Sequence, residues 1–245
     1  MAPRTWFPEV LEGSRVVLRR HVPENLTAFR RWYSDPEIAR LARYQEAPMR
    51  PDEIERFFAA RVVGDDGLAM AIHELATDRL VGTCAFSQVD GDNGSALYHI
   101  TIGEKDAWGL GYGTEATQLM LDHAFGTLGL HRIALFVFEF NERAIRAYRR
   151  CGFVIEGRAR ESIFRDGRWW DEIAMSVLER DWRRLRDEAT ADHLERQVPR
   201  AEAADPDTDA TEGADTDDRG PAQRDAVGAG GQGRSFIRRT VRRFT

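Results

Sequence analysis

The sequence predicts a single mixed α/β domain with hairpin-connected strands, followed by a tail that does not fold. Three observations carry that expectation. The stretch Trp108-Gly109-Leu110-Gly111-Tyr112-Gly113-Thr114-Glu115-Ala116 joins an alternating apolar segment at 96–102 to an amphipathic run reaching about residue 128, and another apolar segment follows at 132–139. On both sides, alternating segments are linked by short polar turns, as antiparallel hairpins are. Between Pro199 and Gly233 large apolar residues almost vanish.

Taken in order, residues 15–20 read as a first strand, edge-like with its flanking arginines. A helix is expected over 23–34, opened by Pro23, with Leu26, Phe29 and Tyr33 at helical spacing. Asp35-Pro36 breaks it before a short helical turn at 37–42, and 51–62 reads as a helix with Ile54, Phe57 and Phe58 on one face. Segments 68–75 and 80–89 form a hairpin across Ala76-Thr77-Asp78-Arg79. The run Ile133-Ala134-Leu135-Phe136-Val137-Phe138 is continuously apolar, which predicts a strand buried on both faces. Asn141 is placed to cap a helix ending at Cys151-Gly152. A closing hairpin, 154–164 and 169–178, turns at Arg165-Asp166-Gly167-Arg168, and a charged helix follows from 179 to about 198.

The totals bound the function. With 42% hydrophobic residues the chain can build one sizeable core, and its net charge of −6 speaks against general nucleic-acid binding while suiting cationic substrates. Cys84 and Cys151 sit in apolar contexts with no metal-ligand spacing, so no metal is expected. Without a disulfide framework, an apolar leader or a spanning segment, the reading is a soluble cytoplasmic protein.

A glycine-rich turn at a helix start is an anion site in waiting. Its first N–H groups lack partners, the helix dipole favours negative charge, and glycines let a bulky ligand approach the backbone. Gly111-x-Gly113-x-x-Ala116, with Glu139 ending the next strand, also fits a dinucleotide fingerprint. Residues 103–108 intervene between strand and turn, however, and the preceding strands are hairpin-connected, with no second mononucleotide-binding half. Phosphate or pyrophosphate is the expected ligand; the dinucleotide fold is not.

The segment Asn141-Glu142-Arg143-Ala144-Ile145-Arg146-Ala147-Tyr148-Arg149-Arg150-Cys151-Gly152-Phe153, one strand downstream of the glycine stretch, resembles the GNAT superfamily of acyl-CoA-dependent N-acyltransferases. Within it, the chain is similar to the group that acetylates ribosomal-protein N-termini and spermidine. Trp32-x-x-Asp35-Pro36-Glu37, Leu80-Val81-Gly82-Thr83 and the stretch 164–172 support that likeness, which covers about residues 12–185. The resemblance implies a mostly antiparallel twisted sheet with a splayed central strand pair and helices on both faces. It implies acetyl-CoA as co-substrate and direct transfer to a primary amine: a protein N-terminus, a polyamine or another small amine. Trp108, Gly109, Leu110, Gly111, Tyr112, Gly113 and Thr114 would hold the CoA pyrophosphate. Ile100, Thr101 and Ile102 would line the edge where pantetheine pairs, and Asn141 and Ala144 would contact the lower cofactor arm. Trp108 stands where the family often has Gln or Arg.

By the same resemblance Tyr148 would protonate the departing thiolate; a phenol of ordinary pKa, about 10, is neutral at pH 7 and can donate. The Ile102 N–H or a neighbour would polarise the thioester carbonyl. The family's frequent glutamate base is replaced here by Leu97. His99, on the same strand face, is the first candidate base, with His73, Glu74 and Glu46 behind it. That replacement leaves an alternative class open: a catalytically degenerate acyl-CoA-binding module that regulates a partner through its tail.

The remaining features read more plainly. Trp169-Trp170 suits a sheet filling or an interface, and Cys151 a small buried hydrophobe. The domain is expected to end near residue 198, with a disordered acidic linker at 199–233 and a basic amphipathic segment at 234–245. That last segment suits docking on anionic lipid or a partner surface, with no specific nucleic acid expected, and the closing hairpin is a candidate homodimer contact.

Overall fold

The structure, a computed structural model, describes residues 8–62 and 68–197. The expected linker and basic segment, 199–245, lie outside the described residues. In chain order the elements are β1 (Val10–Glu12), β2 (Val16–Arg20), α1 (Leu26–Tyr33), α2 (Pro36–Ala42), α3 (Pro51–Arg61), β3 (Ala69–Glu74), β4 (Leu80–Asp90), β5 (Ser95–Ile102), α4 (Tyr112–Gly126), β6 (Arg132–Phe138), α5 (Glu142–Arg150), β7 (Val154–Arg165), β8 (Arg168–Leu178) and α6 (Glu179–Gln197). No described helix is long and apolar enough to cross a membrane.

Local chemistry explains most boundaries. Pro23 opens a single 3-10 turn, Pro23–Asn25, that feeds α1. The Asp35 carboxylate accepts the N–H groups of Glu37 (2.8 Å) and Ile38 (3.3 Å) and caps α2, with Pro36 in the first position, where a missing N–H costs nothing. Asn141 Oδ1 likewise accepts the Ala144 N–H at 3.3 Å and starts α5. Asp166 and Gly167, with φ of 53° and 76°, form the left-handed two-residue turn that matches the twist of β7 and β8.

The strands form one sheet in the order β1-β2-β3-β4-β5-β6-β8-β7. Every neighbouring pair is antiparallel except β5–β6. That parallel pair is joined only at Ser95–Arg132, Ala96–Ile133 and Leu97–Ala134, although β5 runs on to Ile102 and β6 to Phe138. Past those three rungs the strands separate, so the sheet is split by a wedge open at their C-terminal ends.

Two apolar layers cover the sheet. Met120, Leu121 and Ala124 of α4 pack with Val16, Leu18, Ile72, Phe86, Tyr98, Ile133 and Leu135 on one face. Strand alternation sends His21, Thr83 and Thr101 to the other, where Phe29, Trp32, Tyr33, Ile54 and Phe58 of α1 and α3 form a second cluster. Gly103 lies under the Trp32 ring: a Cβ there would come within 2.0 Å of it, so this position admits no side chain.

Two expectations are corrected. The strand read as an edge is not one, because β1 pairs outside β2 through Leu11–Leu18 and its neighbours. β6 is not buried on both faces: Ile133, Leu135 and Val137 are covered, but Phe136 on the opposite face is 50% exposed. β5 has peeled away at that level, and among the described residues no helix replaces it.

Candidate active site

The glycine turn is shaped by two left-handed residues. Gly109 and Gly111 have φ of +80° and +85°, and Gly111 is the N-cap of α4. The N–H groups of the first helical turn therefore have no intrahelical acceptor, and a Cβ on Gly109 would meet nothing within 4 Å. The turn presents open backbone donors.

Behind the turn stands a support that no sequence motif announced. The Arg15 guanidinium donates to the Leu110 carbonyl from Nη1 and to Glu115 Oε2 from Nε, both at 2.9 Å. Glu115 Oε1 also accepts the Arg15 N–H at 2.9 Å, the Ser14 hydroxyl at 3.0 Å and the Ser14 N–H. Burial pushes the Glu115 carboxyl up, but these bonds outweigh it and hold the pKa below the ordinary value. The β1–β2 connection is thereby fastened to the start of α4. The Tyr112 hydroxyl donates to Glu74, which also accepts from Thr77, and His73 Nδ1 lies 2.9 Å from the Asp78 carbonyl. His73 and Glu74 thus brace the hairpin turn and the glycine turn, while Glu46 is exposed in the loop after α2.

The open edge of β5 is more selective than residues 100–102 suggest. The register, with Gly103 N–H bonded to the Val81 carbonyl, puts Thr101 and His99 in hydrogen-bonded pairs with Thr83 and Ala85. Ile100 and Ile102 turn their backbone groups toward the wedge instead. The Ile102 carbonyl is taken by the Trp108 indole N–H at 2.7 Å, and Arg143 stacks on the Trp108 ring at 3.8 Å from its centroid. A cavity of about 280 Å³ lies at the wedge mouth, lined by Trp108, Phe140, Asn141, Arg143, Glu37 and Leu41. A larger open groove of about 460 Å³ lies between the end of α5, the start of β7 and α6, at the far end of β6 from the wedge.

Tyr148 and Ala144 pack against the α4-side core, Tyr148 with its ring 5.7 Å from Phe153. Burial first, and the neighbouring Cys151 second, raise the Tyr148 phenol above the ordinary value assumed from sequence, so it stays protonated. The Cys151 thiol, 3.5 Å from the Thr114 carbonyl, is pushed up to about 12 by burial. It is an inert link between α5 and α4.

The other face of the wedge carries different groups. Continuing the parallel register two and four residues past Leu97–Ala134 sets His99 level with Phe136 and Thr101 level with Phe138. His99 Nε2 is 2.7 Å from Ser87 Oγ, and Thr101 shares a hydrogen bond with Tyr33. Beyond β6 a row of rings runs Tyr44, Phe138, Phe140, Trp170, with successive centroids 5.5, 5.3 and 5.3 Å apart. Trp170 belongs to this wall, whereas Trp169 packs on Phe164 and stays mostly exposed. The Tyr44 hydroxyl donates to Glu172, which pairs with Phe138 across β6 and β8. Arg165, 4% exposed, donates to the carbonyls of Arg43 (2.8 Å), Tyr44 (2.6 Å) and Phe164 (2.8 Å). Arg40 reaches Asp166 at 2.8 Å. The loop after α2 and the β7–β8 hairpin, distant in sequence, are one wall. The loops from Tyr44 and around Arg165 are where the sequence sets substrate choice, but Glu172 was not legible as a site residue, because only the register brings it to the wedge.

A sheet opened by a short parallel pair, with backbone donors at its mouth, is the arrangement that the GNAT resemblance implies. The chain matches the family described as Acetyltransferase (GNAT) domain over residues 15–154 and belongs to the GNAT acetyltransferase family. It is an N-acetyltransferase, in keeping with its relatives. The N-acetyltransferase p20 of Bacillus licheniformis is 28% identical over 178 residues, 71% of this chain and 98% of that one. A spermidine N(1)-acetyltransferase of Vibrio cholerae is 30% identical over 128 residues, 52% of this chain and 73% of that one. A solved structure of spermidine N-acetyltransferase from Vibrio cholerae, in complex with CoA and spermine, has a TM-score of 0.61 at 25% identity, covering 69% of this chain and 99% of that one.

Proposed function

We propose that this N-acetyltransferase transfers an acetyl group from acetyl-CoA directly to a primary amine, with the wedge between β5 and β6 as the place of transfer. The single observation that carries the reading is the wedge itself: an open β5 edge running from the glycine turn to the point where β5 and β6 part. Acetyl-CoA would supply the thioester that donates the acetyl group. Backbone N–H groups over Gly109 to Thr114 would hold its pyrophosphate, which the open side of Gly109 supports. Ile100 and Ile102 would pair with pantetheine as an added strand would, and their N–H groups are the candidates to polarise the carbonyl. Trp108, Asn141 and Ala144 would flank the arm at the wedge mouth. Tyr148, on the α4 side and kept protonated by burial, would give its proton to the departing sulfur. His99, on the opposite face, would accept the proton of the incoming amine, directly or through Ser87. Acid and base on opposite faces suit a transfer in which the amine arrives from one side and the thiol leaves by the other.

Incubating the protein with acetyl-CoA and a panel of N-terminal peptides, polyamines and small amines, while following free thiol and acetylated product, tests the reading. Amine-dependent thiol release is the expected result. Tight CoA binding with no amine-dependent release across the panel would replace it with the regulatory acyl-CoA-binding module.

A further inference from the structure

The Tyr44–Glu172 pair stands out among the carboxylates around the wedge. Asp166 is matched by Arg40, Asp171 and Glu139 by Arg158, and Glu156 by Arg132. Among the described residues no lysine or arginine pairs with Glu172; its partner is a phenol. A carboxylate in that setting keeps acceptor capacity to spare. It sits on the open face of the sheet, beside Phe138 and across the wedge from His99.

Around it the surface is aromatic. Tyr44, Phe138, Phe140 and Trp170 form the wall, and the protein's own cations already use it: Arg40 lies 4.5 Å over Phe140 and Arg168 3.3 Å over Trp170. Ring faces beside an unmatched carboxylate attract a cation from two directions, by charge and by the ring quadrupoles. Between this wall and His99 lies Phe136, half exposed in a strand otherwise covered, an apolar floor in the opening. Tyr44 is itself 60% exposed, so the pair is reachable from solvent.

We propose that Glu172 and Tyr44 form the seat of a second ammonium group on the acceptor, one that does not react, with Phe136 flooring the carbon chain that leads from it to the amine beside His99, on the face of the wedge opposite Tyr148. The proposal rests on the acetyl-transfer reading above and adds the acceptor-binding residues to it. Glu172 holds the charge, Tyr44 fixes the carboxylate's orientation, and the wall of rings keeps bulk water from one side.

The test is an NMR titration of the CoA-loaded protein with 1,6-diaminohexane and hexylamine, run in parallel with thiol-release kinetics on acetyl-CoA. In the wild type, the diamine is expected to bind more tightly than hexylamine. Glu172→Gln and Tyr44→Phe, both near-isosteric, should weaken the diamine by roughly tenfold, the scale of losing a bond to a charged group, with CoA affinity unchanged. Phe136→Ala should weaken both amines. Unchanged diamine affinity in both Glu172→Gln and Tyr44→Phe overturns the seat, as does a wild type that binds neither amine. Glu172-dependent amine binding without thiol release upholds the seat and sinks the transfer reading, so the two fail separately.

Discussion

At the scale of single residues, the glycine turn and Tyr148 make the sharpest claims. Gly111 holds φ of +85° with the Arg15 guanidinium where a side chain would go, 2.9 Å from an added Cβ. Gly111→Ala is therefore expected to cost about 1–2 kcal/mol for the left-handed conformation alone. It should also displace Arg15 from the Leu110 carbonyl, raising the KM for acetyl-CoA more than it lowers kcat. Tyr148→Phe keeps the ring and removes the proton. If the phenol is the acid, kcat drops about a hundredfold while CoA binding, measured by calorimetry, stays as it was. Equal turnover in the two proteins would assign the proton to solvent. Because burial raises the phenol, no loss of rate from its ionisation is expected up to about pH 10.

At the scale of elements, two buried polar residues tie loops and strands together. His21 in the connection after β2 contacts Asn25 Oδ1 at 3.1 Å and Thr83 Oγ1 at 2.9 Å, and burial lowers its pKa to about 4. The folded chain therefore keeps this ring neutral, while the unfolded chain takes up a proton below about pH 6.5. Stability owed to this site is constant above that value and falls as pH descends toward 4, by about 1.4 kcal/mol per pH unit and about 3 kcal/mol in all. Urea titrations at pH 7 and pH 4.5 should show the gap, and His21→Gln should narrow it. Arg165 is the second. Arg165→Met would strand the carbonyls of Arg43 and Tyr44, at a cost of about 1–3 kcal/mol. Limited proteolysis should then cut sooner in the loop after α2. These elements also show what sequence reading reaches. Pro36 with Asp35, Asn141, and Asp166-Gly167 announce their caps and turn locally, and the helices and hairpins lie where expected. β1 is three residues of ordinary composition and becomes a strand only by pairing with β2. β6 misled because an apolar run looks the same whether its second face meets protein or an opening. Arg15, Glu115, Glu172 and Arg165 act through partners about 100 or more residues away, or through cross-strand register, and leave no local pattern.

At the scale of the whole molecule, the wedge divides the sheet between two jobs. The proposed donor half is main chain, the glycine turn and the β5 edge; the proposed acceptor half is side chains on β5, β6, the loop after α2 and the closing hairpin. A ligand that binds only the folded chain stabilises it by mass action. Acetyl-CoA at a hundred times its Kd should contribute about 2.7 kcal/mol, raising Tm by about 5–10 °C for a domain of this size. A scan with and without acetyl-CoA checks this, and Gly111→Ala should shrink the shift while Glu172→Gln leaves it intact.

The bonds from Arg165 to the loop after α2 bear on how this scaffold could be repurposed. A single buried guanidinium makes two sequence-distant stretches rigid as a unit, so neither can be exchanged alone without orphaning the other's carbonyls. Grafting acceptor preference from a relative is then a two-segment operation, 40–50 together with 162–172, and a one-loop chimera should lose expression yield before it loses selectivity.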